Sequence, residues 1–534
     1  MVSAESYDFI IVGAGSAGCV LANRLTASGD HSVLLIEAGG RDSSPWIHIP
    51  LGYGKHFTNP AVNWLYSNEP DDAVAGRRVP TPRGKVLGGS SSINGLVYIR
   101  GQAADYDMWR QLGNPGWAYD DVLPYFRKSE DQQRGADEWH GAGGPLAVSD
   151  RKTPHELCDA FLESAAKCGY PRTDDFNRAD NEGFGYLQLT TRNGRRCSAA
   201  VAFLRPAEKR RNLTVVTHAH ATRILFEGQR ATGIEYSRRG RLATARAERE
   251  VILSGGAVNT PQLLELSGIG SADRLRTYGI DIVADRPGVG ENLQDHFSVR
   301  LTWRCTKPLT LNDALANPLR GARELAKYAV SRDGFLAMGA SVAAGFYKSD
   351  TAQATPDIQV GLNLFSGDRL GEKLHPFSGF CAAVRLLRPE SRGTIHIRSA
   401  DPLAAPEIRS NFLHREKDGT TLARACMMFR EIAAARPLAD YIESEYLPGP
   451  AVADEAAMLD YMRKTGATSF HPVGTCRMGS DPDAVVDPRL RVNGVAALRV
   501  ADASIMPVIV SGNTNAPAIM IGEKASDMIL EDAG

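Results

Sequence analysis

The chain lacks long apolar runs, paired cysteines and any excess of charge, and each lack closes a class of function. No run approaches the roughly 18 apolar residues that cross a bilayer, so no transmembrane segment is expected. The residues before the first apolar run are acidic, without the basic start and long apolar stretch of a secretory leader. Lys and Arg number 61 against 62 Asp and Glu, for a formal net charge of −1 with no basic stripe, so nucleic-acid binding has no electrostatic support. The eight cysteines (19, 158, 168, 197, 305, 381, 426 and 476) form no C-x-x-C pair and no metal-ligand spacing, so no metal is expected. A reduced, cytoplasmic protein is the simplest reading, and peripheral attachment to the inner membrane is compatible with it. Internal repeats and low-complexity tracts are absent too. What is present is ordinary globular composition, 43% hydrophobic and 23% charged, spread over 534 residues. That length exceeds one core and predicts two domains or more.

The organising stretch is Tyr7–Gly40. Phe9, Ile10, Ile11 and Val12 form an apolar run of the kind found in buried parallel strands. Gly13, Gly15 and Gly18 follow as G-x-G-x-x-G, then an Ala-rich helical pattern from Ser16, then a second apolar run, Val33 to Ile36, ending in Glu37. In a dinucleotide site Gly13 permits the tight turn, Gly15 the approach of a pyrophosphate, and Gly18 close helix–strand packing. The helix start offers free N–H groups to that pyrophosphate. Glu37, 19 residues after Gly18, can accept hydrogen bonds from an adenosine ribose. This stretch alone leaves NAD and FAD both open.

Residues 41–82 are rich in Pro with isolated aromatics, the composition of a lid or cover. RGKVLGGSSSIN (83–94) is a Ser/Gly loop whose small residues let backbone lie flat on a planar ligand. Periodicity predicts helices within 105–133, 153–170, 319–330, 419–436 and 452–464. A strand pair is predicted around Val215–Phe226, with His218 and His220 on a solvated face. After Gly255-Gly256 a helix is expected to start at Asn259 or Thr260, with Pro261 in its first turn. RLTWRCT, DIQVGLNLF, FCAAVRLL and GTIHIRS alternate over strand lengths and predict one largely antiparallel sheet beyond residue 297. FHPVGTCRMG (470–479) reads as a loop presenting His471, and 497–507 as a strand ending in Asp502.

Together GAGSAG with Glu37, RGKVLGGSSSIN, GGAVNTPQLLELSGIG, NLQDH, HPVGT and ADASIMP with NTNAP resemble the glucose–methanol–choline (GMC) family of FAD-dependent oxidoreductases over nearly the whole chain. The wording is most similar to its bacterial alcohol dehydrogenase and choline dehydrogenase-like branch. The resemblance implies an α/β protein, α+β in its two-domain plan. A Rossmann-like FAD-binding domain would span 1–155, 195–296 and 465–534. A substrate domain, a mainly antiparallel sheet flanked by helices, would span 156–194 and 297–464. It implies FAD rather than NAD. Gly13, Gly15, Ser16, Ala17 and Gly18 would hold the pyrophosphate, and Glu37 with Ala38 the adenosine ribose. Val86, Gly89, Ser90, Asn94, Gly95, Leu96 and Val97 would lie along the flavin, and Ala221 at the adenine. Asp502 and Ala503 would reach the ribityl-pyrophosphate region, and Asn515 and Pro517 would bring a helix N-terminus to the flavin pyrimidine.

The family reaction is hydride transfer from an alcohol carbon to flavin N5. His471 matches the catalytic histidine, an imidazole suited to take the alcohol proton. Asn513 stands at its partner position, suited to orient the alcohol oxygen and stabilise alkoxide character. Members with covalent flavin carry a histidine where this chain has Ile93, so FAD should be non-covalent. The expected partners are a small-molecule alcohol, oxidised to an aldehyde, and an electron acceptor other than NAD: a quinone, a carrier or O2. The expected assembly is a monomer or homodimer. An O2-using oxidase, a non-redox hydroxynitrile lyase and a non-catalytic FAD-binding protein are the alternatives. No aromatic or acidic cage for a quaternary ammonium substrate is readable.

Overall fold

The computed structural model describes residues 5–368 and 371–534. Residues 1–4 of the expected first domain and 369–370 of the expected substrate domain lie outside the described residues.

Two seven-stranded sheets organise the chain. The first runs in the order Leu213–Thr217, Val33–Glu37, Glu5–Val12, Arg241–Leu253, Arg230–Arg238, Ala219–Glu227, with Leu498–Val500 also paired to Arg241–Leu253. Its first four strands are parallel, and the last three close as an antiparallel meander. Val33–Glu37 is buried at every position, as a parallel strand covered on both faces must be. Helix Ser16–Leu25 packs against the C-terminal helix Asn515–Ala533, so the two ends of the chain meet. An ion pair of Arg24 with the fully buried Glu523, at 2.7 Å, joins those helices.

The second sheet is antiparallel, in the order Ile442–Leu447, Phe297–Cys305, Gly379–Leu386, Ile358–Asn363, Ala343–Tyr347, Gly183–Tyr186, with Ala467–Thr468 on Phe297–Cys305. Its period of two sorts the side chains. Val299, Leu301, Trp303, Val360, Leu362, Phe380, Ala382 and Val384 face a core shared with helices Glu156–Lys167, Glu416–Ala434 and Glu455–Thr465. The alternate positions face a cavity between the sheets.

Three local expectations are corrected. The strands on either side of His218 do not pair; they lie at opposite ends of the first sheet. His218 takes φ 54° and donates its N–H to the Gly39 carbonyl, which breaks the strand. His220 is not on a solvated face: it lines the cavity and its ring meets Trp64 edge-on. Thr394–His396, within GTIHIRS, is not part of the antiparallel sheet and pairs instead with Glu407–Arg409.

The helix expected from Asn259 begins earlier, as Gly256–Leu266, with Pro261 inside it. Its start is capped from afar: the Asp502 carboxylate accepts from the Gly256 N–H at 2.8 Å and the Thr260 hydroxyl at 2.6 Å. Pro261 has no N–H for the Ala257 carbonyl, and the Thr475 hydroxyl donates to that carbonyl instead, at 2.7 Å.

Candidate active site

One cavity of about 1030 Å³ runs between the two sheets. Its first half is made mostly by backbone. Gly13 turns at φ 102°, where a Cβ would lie 2.5 Å from the Ser254 carbonyl oxygen. A Cβ on Gly18 would lie 1.9 Å from the Gly13 carbonyl oxygen, so helix and strand touch there. Helix Ser16–Leu25 starts at Gly15 without a side-chain cap, leaving N–H groups free where Gly15, Ser16 and Ala17 line the cavity. Helix Asn515–Ala533 also starts uncapped, with Thr514 and Asn515 on the lining, and the Ser16 hydroxyl donates to Asn515 Oδ1 at 2.8 Å. Two uncapped helix starts on one large cavity fit the negative charge of a dinucleotide.

The carboxylates here are already occupied. Glu37 accepts from the N–H groups of Ala14 at 3.0 Å and Gly39 at 2.8 Å. Burial raises its pKa to about 7 against those two bonds. Asp502 accepts from Ser504 as well as from Gly256 and Thr260. The loop 89–97 is held by Arg196, which sequence reading missed. Its guanidinium, 2% exposed, donates to Asn94 Oδ1 and the Asn94 carbonyl, both at 2.7 Å, and to the carbonyls of Ser91 and Ile47. Burial lowers its pKa to about 9, with Tyr53 opposing the shift.

Of the expected cofactor residues, Gly13, Gly15, Ser16, Ala17, Glu37, Ala38, Gly89, Ser90, Asn94, Gly95, Leu96, Val97, Ala221, Asp502, Ala503 and Asn515 line the cavity, and so does Ile93. Gly18, Val86 and Pro517 do not. Val86, expected along the flavin, is fully buried behind the wall against Ile47, Val62 and Ile93. Its segment is tied to the 39–40 turn instead, through Leu87 N–H to the Gly40 carbonyl at 3.0 Å.

At the other end His471 and Asn513 meet on the lining. Asp295 fixes the turn beneath them: it accepts from the His471 N–H at 2.9 Å and from the Thr468 hydroxyl, and burial raises its pKa to about 6. The proton positions on the two imidazoles follow from their partners. His296 Nε2 lies 3.1 Å from the Leu387 carbonyl, which only accepts, so Nε2 carries hydrogen. Burial lowers the His296 pKa to about 3, so the ring is neutral and its Nδ1 is an acceptor. His471 Nδ1, 2.9 Å away, therefore donates to it. That leaves His471 Nε2 bare, accepting from the Asn513 amide at 3.0 Å. Burial first, then His296 and Arg385, hold the His471 pKa well below 6.5. Asp295 and His296 stand together in NLQDH, and that juxtaposition of titratable groups was the available signal for both.

Ser298, Arg300, Thr302, Gln359, Asn363 and Arg385 of the antiparallel sheet form the far wall. The 41–82 stretch adds Tyr53, His56, Phe57 and Trp64 to the lining, and Phe470 packs on Phe57 with ring centres 5.5 Å apart.

The GMC oxidoreductase family models match residues 7–298 and 389–522. The chain is 44% identical to an oxygen-dependent choline dehydrogenase of Brucella suis over 525 residues, 98% of this chain and 95% of that one. It is 43% identical to the mitochondrial choline dehydrogenase of Homo sapiens over 536 residues, 99% and 90% of the two. Among solved structures it resembles pyridoxine 4-oxidase from Mesorbium loti, with TM-score 0.88, 33% identity and 97% and 98% of the chains covered. It also resembles a variant formate oxidase of Aspergillus oryzae RIB40, with TM-score 0.92, 28% identity and coverage of 99% and 98%.

Proposed function

That this chain belongs to the GMC oxidoreductase family is the premise from which we propose its reaction. It is an FAD-dependent enzyme acting on CH–OH donors, and the proposed reaction oxidises a primary alcohol to an aldehyde. Gly13, Gly15, Ser16 and Ala17 would hold the pyrophosphate of FAD, with Gly18 packing the helix behind them. Glu37 and Ala38 would hold the ribose, and Ala221 the adenine. Gly89, Ser90, Asn94, Gly95, Leu96 and Val97 would lie along the flavin, with Asp502, Ala503 and Asn515 completing the seat. Ile93 offers no atom for a covalent link, so binding is non-covalent. When bound, FAD supplies the acceptor for the hydride that leaves the alcohol carbon.

The chain's own part is the proton. The alcohol hydroxyl donates to His471 Nε2, the bare nitrogen identified above, and the proton moves there as the C–H bond breaks. Asn513 donates its amide N–H to the alcohol oxygen in place of His471 Nε2 and stabilises the alkoxide character that develops. His296 keeps the ring of His471 in the tautomer that can accept. Arg385 and the burial of the pair disfavour imidazolium, which keeps the base free before reaction. The single observation that carries this reading is the bare Nε2 on the cavity beside Asn513.

The proposed electron acceptor is one other than NAD. Among the described residues no helix is long and apolar enough to cross a membrane. The division of the chain at 155, 195, 297 and 465 is our proposal for its domains. The test is anaerobic: the purified holoenzyme is mixed with a panel of alcohols and the visible flavin band is followed. Bleaching by at least one alcohol, with aldehyde formed in equal amount, is expected. A band unmoved by every alcohol overturns the reading.

A further inference from the structure

The wall contains two cations that have no counter-ion among the described residues. Strands Phe297–Cys305 and Gly379–Leu386 are antiparallel neighbours in which Arg300 stands opposite Ala383, and Arg385 opposite Ser298. The two arginines are therefore diagonal neighbours on one face of the sheet, the face that lines the cavity. Among the described residues neither guanidinium makes a hydrogen bond or an ion pair.

Other cations on the lining are engaged. Arg83 donates to the Pro82 and Phe470 carbonyls at 2.6 Å, Arg78 pairs with Glu69 at 3.1 Å, and Lys464 with Asp460 at 2.7 Å. The carboxylates of the lining do not serve Arg300 or Arg385 either. Glu37 and Asp502 are held by the cradle, Asp368 binds His375 at 2.9 Å, and Glu372 is exposed.

Two like charges set side by side in a partly dry cavity repel each other and lose hydration. The strain registers at Arg385, whose pKa falls to about 10 through burial and then through Arg300. Such a pair is stabilised when an oxyanion arrives, because each guanidinium presents a fork of donors that matches one. The pyrophosphate of FAD does not meet this need, since the glycine turn and the uncapped start of helix Ser16–Leu25 that suit it follow a strand of the parallel sheet. Arg385 stands opposite Gln359, whose amide donates to Asn513 Oδ1 at 3.5 Å, and Asn513 in turn meets His471 Nε2 at 3.0 Å, so an anion bound there lies within one small molecule's reach of His471.

We propose that the alcohol substrate carries an oxyanion, a carboxylate or a phosphate ester, which Arg300 and Arg385 bind while its hydroxyl meets His471. This rests on the alcohol-oxidation reading above. It excludes a quaternary ammonium alcohol, whose fixed positive charge would face two guanidiniums with no acid between them.

The test compares kcat/KM of the holoenzyme for butanol, gamma-hydroxybutyrate, the monophosphate of butanediol, and choline. An anionic alcohol is expected to exceed butanol by about 100-fold, the yield of one or two charge-assisted hydrogen bonds. The carboxylate and phosphate arms decide which oxyanion fits. Arg300→Gln and Arg385→Gln should each collapse that ratio by about tenfold or more, and Arg385→Lys should restore part of it. Choline or butanol matching the anionic alcohols, or ratios unmoved in the Gln variants, overturns the proposal. So does a change in the flavin spectrum of those variants with the ratio intact, which would assign the arginines to the cofactor. If no alcohol bleaches the flavin, the oxidation reading fails by itself. Butyrate and inorganic phosphate titrated into the holoenzyme then decide the anion site. A saturable shift of the flavin band lost in Arg385→Gln sustains it, and no shift overturns it.

Discussion

The parallel-sheet cradle and the antiparallel wall treat charge in opposite ways. In the cradle, Glu37 and Asp502 are buried, and each accepts hydrogen bonds from backbone N–H groups of the turns they brace. In the wall, Arg300 and Arg385 face the cavity with no acceptor of their own among the described residues. The difference separates two uses of a charged side chain. A charge already bonded to backbone N–H groups holds those turns in place whether or not a ligand is bound, whereas a charge left open is complementary to something that arrives. The His471–Asn513 pair lies between these cases. Its Nδ1 side is fixed by His296, while its Nε2 side meets an amide that a substrate oxygen can replace.

The comparison breaks most visibly at the base. His471→Ala should slow flavin reduction by about 10²–10⁴-fold while FAD stays bound, because the cradle makes no use of this ring. Stopped-flow bleaching together with the flavin-to-protein absorbance ratio checks both halves; loss of FAD instead would place His471 in the cradle.

Gly18→Ala should act in the reverse sense. The added methyl meets a backbone carbonyl at 1.9 Å, and neither partner is a flexible side-chain end. Overpacking of about 1–3 kcal/mol and loss of FAD on purification are expected, measured by thermal unfolding and by flavin content.

Asp295→Asn sharpens the middle case. The His471 N–H and the Thr468 hydroxyl use different oxygens of Asp295, so an Asn would keep an acceptor for one, turn an amide donor toward the other and remove the charge. A loss in flavin reduction of about tenfold, with FAD content unchanged, is expected for a residue that acts by positioning, and Asp295→Ala should be worse.

The smallest effect is a pH effect on the apoprotein, and its two halves have opposite signs. Glu37 has a folded pKa of about 7 against a reference value of 4.5. The folded state thus holds this proton more tightly, and the stability it gives is complete below about 4.5 and lost as pH rises to about 7. His296 has a folded pKa of about 3 against 6.5, so its contribution is present above 6.5 and lost as pH falls toward 3. Glu37→Gln should therefore flatten the loss between pH 4.5 and 7, by on the order of 1 kcal/mol, and leave the acid limb as it was. A denaturant series across that range measures it.

The cradle was legible because its parts are local in sequence. Gly13, Gly15 and Gly18 must follow one another at fixed spacing for strand, turn and helix to close on themselves, and Glu37 is one strand away. The NLQDH and HPVGT strings were legible as motifs, but the contact of His296 with His471 joins residues 175 apart in sequence. That Val86 packs behind the cavity wall was not legible, because a Gly-rich string does not say which of its neighbours turns inward. The start of helix Gly256–Leu266 was misplaced because its cap, Asp502, comes from the far end of the chain.

By itself the sequence determined the glycine turn between strand and helix and the two kinds of sheet, since these follow from short-range sterics and the period of apolar residues, and its motifs singled out His471. Only the tertiary structure decided which nitrogen of that histidine is bare, and that Arg300 and Arg385 stand side by side with no carboxylate paired to them among the described residues. Both depend on strand register and on loops brought together from distant segments, and neither leaves a periodic trace along the chain.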